Sequence, residues 1–135
     1  MKILVIDGQG GQLGGQLIKS IKGNFEHIDI TAVGTNATAT ATMLKAGANQ
    51  AATGENAVVV ACRKADVIIG PIGIVIADAL LGEVTPQMAV AVGQADAVRI
   101  LLPMNKCDNL VAGISDVSMT VIIEDVIHKL STIIK

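Results

Sequence analysis

Ile3-Leu4-Val5-Ile6-Asp7-Gly8-Gln9-Gly10-Gly11-Gln12-Leu13-Gly14 is the stretch that decides the fold. Residues 3–6 form a short, continuous, mostly β-branched run bounded by glycines. That is the pattern of a strand buried on both faces of a parallel sheet. Residues 8–15 are the turn. Beyond it Leu13, Leu17, Ile18 and Ile21 recur at helical spacing, with Lys19 and Lys22 on the other side, until Gly23-Asn24 stops the helix.

The alternation continues along the chain. Strands are expected at 28–33, 48–53, 66–70, 98–102 and 110–114. Helices are expected at 37–46, capped by Asn36 or Thr35, and from Asn56 to Arg63-Lys64. A very apolar helix is expected at 74–81, and another after Thr85-Pro86, where proline takes the first helical position. Asp116 or Ser115 should cap a last helix ending near Ile134. Strands alternating with helices in a chain of 135 residues predict one domain, residues 1–135. The expected class is α/β: a doubly wound parallel sheet in three layers, α/β/α, with about six strands in an order such as 3-2-1-4-5-6.

Composition excludes several classes. With 51% hydrophobic and 16% charged residues, the chain is not intrinsically disordered. Net charge is −2, so no basic footprint points to nucleic acid. There is no Trp or Tyr and one Phe, which excludes tyrosine acid–base chemistry and an aromatic stacking surface for nucleic acid. Mean hydropathy is +0.60. Even so, the longest apolar run, 67–77, ends at Asp78, well short of the roughly 20 residues of a membrane span. No signal-peptide core fits before Asp7, so a cytoplasmic location is expected. Cys62 and Cys107 make neither metal spacing nor a disulfide framework, and no metal is expected.

Gly8, Gly11 and Gly14 give G-x-x-G-x-x-G, with Gly10 in addition. Gly8 allows a tight turn off the strand. Gly10 and Gly11 let backbone approach a pyrophosphate, and Gly14 lets the helix pack close to the sheet. The N–H groups of the turn, with Gln9, Gln12 and Leu13 between the glycines, would then face an anion at the helix N-terminus. The alternative is a tight strand-to-helix turn that binds nothing.

The first half of the chain, to about Gly70, resembles the nicotinamide-dinucleotide-binding Rossmann families, in the G-x-x-G-x-x-G variant of the short-chain and extended dehydrogenases. Their catalytic tyrosine is absent. The acid that accepts ribose hydroxyls at the end of the second strand is also absent. Gly34-Thr35-Asn36 stands there instead, a neutral pair better suited to a 2′-phosphate or bare phosphate, although no arginine accompanies it. Asp7 is an oddity, since a carboxylate beside a pyrophosphate repels it unless turned away or paired with a cation.

A broader resemblance rests on Ile6 to Gln12, Thr31 to Asn36, Ala52-Thr53-Gly54-Glu55-Asn56, Gly70-Pro71-Ile72-Gly73 and Pro103-Met104-Asn105. Together these segments resemble a family of short bacterial proteins carrying a domain of unknown function. The resemblance implies a Rossmann-like fold and no assigned activity.

In a doubly wound sheet ligands bind outside the carboxyl ends of the strands. That edge should gather the glycine turn, Gly34-Thr35-Asn36, Thr53 with its neighbours to Asn56, Gly70-Pro71-Ile72-Gly73 and the loop 105–109. Turns are rich in such residues regardless of ligand. Lys106, Cys107 and Asp108 are the candidate catalytic groups: a cation for phosphate, a thiol nucleophile and an acid or base. A solvated lysine and an inert thiol are the alternatives. His27 falls at the opposite edge, His128 lies in the last helix, and Cys62 is a packing residue.

Apolar residues around most of the last helix and of 74–81 predict a homodimer. The leading expectation is a nucleotide- or dinucleotide-binding protein. NADP, NAD, another nucleotide or a phosphorylated small molecule would be the ligand. The protein would act as a sensing module or enzyme subunit. A small NADP-linked or phospho-metabolite enzyme, and a structural homo-oligomer without a ligand, are the alternatives.

Overall fold

Alternation along the first strand sets the layering. In β1 (Lys2–Asp7) Ile3 and Val5 point into one core while Leu4 and Ile6 point into a second, all at most 2% exposed. A strand covered on both faces needs helices on both sides. The computed structural model describes residues 1–104 and 109–134, and in it the chain supplies those helices.

The described elements run β1, α1 (Gln12–Asn24), β2 (Asp29–Gly34), α2 (Ala37–Lys45), β3 (Gln50–Thr53), α3 (Glu55–Lys64) and β4 (Val67–Pro71). A turn of 3₁₀ helix (Ile72–Val75) follows, then α4 (Pro86–Gln94), β5 (Val98–Leu102) and α5 (Met119–Ile133). The sheet is parallel throughout, in the order β3-β2-β1-β4-β5. Helices α1, α2 and α5 pack on one face through Leu17, Ile18, Met43, Val126 and Leu130. Helices α3 and α4 pack on the other through Val58, Cys62, Met88 and Val92. This is the three-layer doubly wound α/β fold expected from the alternation, and its order reverses between β1 and β4.

Local chemistry explains the boundaries. Asn36 caps α2, accepting from the Ala39 N–H at 2.9 Å. Thr85 caps α4, with Pro86 in the first turn. The expected cap Asn56 is replaced by Gly54, whose φ of 99° turns the chain two residues earlier. Ser118, rather than Asp116 or Ser115, caps α5 by accepting from Val121 N–H.

Two expected elements are absent among the described residues. Segment 74–81 is not a helix. Its β-branched Ile74, Val75 and Ile76 resist helix formation. After the 3₁₀ turn the chain folds on itself, with Asp78 N–H donating to Val84 O at 2.7 Å and Gly82 N–H to Asp78 O at 3.0 Å. Asp78, Leu80, Leu81 and Gly82 all take positive φ. Leu80 gains burial from this and Leu81 is left 95% exposed. Segment 110–114 is not a strand either, so five strands are described rather than six. Leu110 there is 95% exposed and Gly113 takes a φ of 83°, so the segment offers neither a buried face nor extended backbone.

The glycines of the turn differ sharply in what surrounds them. A Cβ on Gly11 would lie 2.7 Å from the Ala39 backbone of α2, at a φ of 75°. One on Gly14 would meet the Met43 sulfur at 2.5 Å. Gly10 has nothing within 4 Å. Urea denaturation should therefore show Gly11→Ala losing about 2 kcal/mol or more, while Gly10→Ala stays within about 0.5 kcal/mol of wild type. Equal losses at the two positions would refute this division of roles.

Candidate functional site

The turn after β1 is held from beneath by Asp7, the last residue of the strand. Gly11, at the N-cap of α1, has no side chain to cap with. The Asp7 carboxylate takes over: Oδ2 accepts from Gly14 N–H and Oδ1 from Gly8 N–H, both at 2.8 Å. Gly11 N–H donates to Gly8 O at 2.9 Å, closing the turn. Asp7 is 2% exposed and is the one buried charged side chain among the described residues. It points into the protein, which answers the oddity of its position. The N–H groups of Gly10, Gln12 and Leu13 find no partner among the described residues. They head α1, where the helix end favours an anion.

The segment after β2 joins this turn. Thr35 N–H donates to Asp7 O at 3.0 Å, and the Asn36 amide donates to Gln9 O at 2.9 Å. The structure then adds a residue that sequence reasoning did not single out. Glu83, from the folded segment before α4, places Oε1 between three donors: Gln9 N–H at 2.9 Å, Thr35 Oγ1 at 2.6 Å and Asn36 Nδ2 at 2.8 Å. A Cβ on Gly8 would lie 2.9 Å from that oxygen and 2.5 Å from Thr35 Oγ1, so a side chain at the first glycine of the motif would displace this contact. The available signal was slight: Glu83 and Asp78 are the only charged residues between Asp66 and Asp96.

The remaining candidates divide. Thr53 lies at the same edge and reaches the cluster only through Thr40, Oγ1 to Oγ1 at 2.7 Å. Gly70 lies beside β1, where a Cβ would meet Ile6 O at 2.5 Å, so its bareness serves strand packing. Pro71 and Gly73 are buried and Ile72 half-buried. Lys106, Cys107 and Asp108 lie outside the described residues. Cys62 is buried, and that burial pushes its thiol up to about 11, away from reactivity. Glu55 accepts from Thr85 Oγ1 at 2.6 Å and is held there. No group of three potential metal ligands occurs among the described residues, and no helix there is long and apolar enough to cross a membrane. A groove of about 650 Å³ lies elsewhere, between α3 and α4, lined by Val59, Arg63, Val90 and Gln94.

The two carboxylates titrate in opposite senses. Burial pushes Asp7 above its ordinary 3.8, the Gly14 and Gly8 N–H groups pull against it, and the Glu83 charge adds to the rise. Burial also acts upward on Glu83, but the bonds from Thr35, Gln9 and Asn36 outweigh it and hold the group below its ordinary 4.5. The stability contributed by Asp7 is thus full below 3.8 and lost as pH rises through the raised folded value. That of Glu83 is present above 4.5 and lost as pH falls through the lowered folded value. Urea denaturation from acid to neutral pH reads both. As pH rises, the stability gap should move against wild type relative to Asp7→Asn, and toward wild type relative to Glu83→Gln. Parallel trends in the two comparisons would contradict the assignment.

No curated protein matches the chain. Among solved structures, the chain is similar to a dodecameric FMN-dependent UbiX-like decarboxylase from Escherichia coli O157:H7. Identity is 19% over 98% of this chain and 75% of that one, with a TM-score of 0.48. The family model described as "Domain of unknown function (DUF3842)" matches residues 2–135, so the chain belongs to that family.

Proposed function

We propose that the chain binds a nucleotide or dinucleotide, NAD or NADP among them, with a phosphate on the head of α1. One observation carries the reading. The turn is fixed by internal bonds to Asp7 and Glu83, and three N–H groups at its end, on Gly10, Gln12 and Leu13, are left without partners among the described residues. A rigid loop with unpaired donors at a helix N-terminus suits a phosphate. The position adds to this, because β1 and β4 flank the point where the strand order reverses. Gly34, Thr35 and Asn36 stand beside it for the sugar. The module acts in binding or sensing, or as a subunit of a larger enzyme; the alternative is a small enzyme in its own right in which Lys106, Cys107 and Asp108 would supply chemistry.

The absence of Trp and Tyr makes the test simple. Freshly purified protein is nearly transparent at 280 nm, so bound nucleotide shows as a band near 260 nm. Thermal-shift titration with NAD, NADP, ATP and AMP covers ligand lost in purification. Gly10→Asp is the informative variant, since it adds a carboxylate where nothing lies within 4 Å. Binding should weaken by at least about tenfold in this variant with the melting temperature kept. No 260 nm band together with no shift from any of the four nucleotides would overturn the reading, as would unchanged affinity in Gly10→Asp.

The chain also presents an apolar strip for a second copy of itself. Leu110 is 95% exposed, Ile114 49% and Val117 45% in the segment leading into α5, and Val121 is 51% exposed in its first turn. A homodimer would cover it. Sedimentation should show a dimer that Val121→Lys dissociates; a wild-type monomer at micromolar concentration would contradict this.

A further inference from the structure

Resting on the nucleotide reading, we infer that Glu83 receives the sugar hydroxyls of the bound nucleotide and excludes a nucleotide phosphorylated at that sugar. The hydrogen-bonding capacity of this corner of the site carries the argument. At the end of β2 the chain has no acid, only Gly34-Thr35-Asn36. Those side chains look like donors for a phosphate, but they are already engaged. Thr35 Oγ1 donates to Glu83, and the Asn36 amide donates to Glu83 and to Gln9 O. Asn36 Oδ1 accepts from Ala39 N–H. Gln9 N–H donates to Glu83 as well.

What is left without a partner is an acceptor. Three donors fix Oε1, while Oε2 has no partner among the described residues. The residue is half-buried, so this second oxygen is held in place without being sealed in. A hydroxyl pair donates to such an oxygen. A phosphate, which only accepts, finds the side-chain donors of Thr35 and Asn36 already engaged.

Charge points the same way. The Glu83 charge already acts against the Asp7 carboxylate beneath the turn. No cation forms an ion pair with either carboxylate among the described residues. A second anion at this spot meets like charge, while a neutral diol does not. The carboxylate comes from the segment before α4 rather than from β2, and reaches the end of β2 because residues 78–84 fold back on themselves.

Calorimetric titration of wild type, Glu83→Gln and Glu83→Ala with NAD and NADP tests this. Wild type should favour NAD by about tenfold or more. Glu83→Gln keeps an oxygen for the three donors but turns the outer atom into a donor, so it should lose NAD affinity and level or invert the preference. Glu83→Ala frees the Gln9, Thr35 and Asn36 donors and should favour NADP. The ratio of affinities is the reading, because loss of a merely structural contact changes stability without changing that ratio. An unchanged ratio in both variants would overturn the assignment, and so would an equal gain for both ligands, which would make Glu83 a plug. Binding of neither NAD nor NADP by all three proteins would overturn this inference, while the nucleotide reading itself stands or falls on the four-nucleotide titration above.

Discussion

The Asp7 carboxylate, buried at the end of β1 and accepting from Gly8 and Gly14, is the contact on which the rest of the site depends. A glycine at the N-cap cannot cap its own helix. Asp7 does so from the preceding strand, and in doing so locks strand, turn and helix into one unit. The burial it suffers is offset in part by those two N–H groups, since a desolvated charge without partners is costly. Because the carboxylate takes only the Gly8 and Gly14 N–H groups, those of Gly10, Gln12 and Leu13 keep no partner among the described residues. A residue that looks hostile to an anion is thus what leaves donors for the phosphate proposed above.

A second carboxylate completes the arrangement from the opposite direction in sequence. Glu83 ties the segment before α4 to the ends of β1 and β2 through Gln9, Thr35 and Asn36. Leu80 and Val84 anchor the same segment in the core shared with α3 and α4. Positive φ at Asp78, Leu80, Leu81 and Gly82 is the conformational cost of bringing the acid there, and for leucine that cost is considerable. The structure tolerates it where burial of Leu80 and three bonds to Glu83 offset it.

Much of the fold was legible in local pattern. The apolar run of β1, the capping residues Asn36 and Thr85, and the alternation that gives a parallel sheet are all short-range signals. Segment 74–81 was not legible, because a continuous apolar stretch has no period that separates helix from buried coil. The strand expected at 110–114 failed for a related reason: apolar residues there signal neither burial nor pairing. The glycines were half legible. Their spacing marked the turn, yet the same spacing serves a ligand and a helix contact alike, and only the structure separates Gly10 from Gly11 and Gly14. Glu83 was hidden because its partners lie far away in sequence, Gln9 74 residues off.

The central claim is that the unpartnered N–H groups at the head of α1 are where the ligand's phosphate sits. Backbone amide chemical shifts during an AMP titration of ¹⁵N-labelled protein address it directly. The account predicts the largest changes at Gly10, Gln12 and Leu13, with the Gly8 and Gly14 amides, held by Asp7, changing little. Changes centred instead on Val59, Arg63, Val90 and Gln94 in the groove between α3 and α4, or no changes at all, would contradict it.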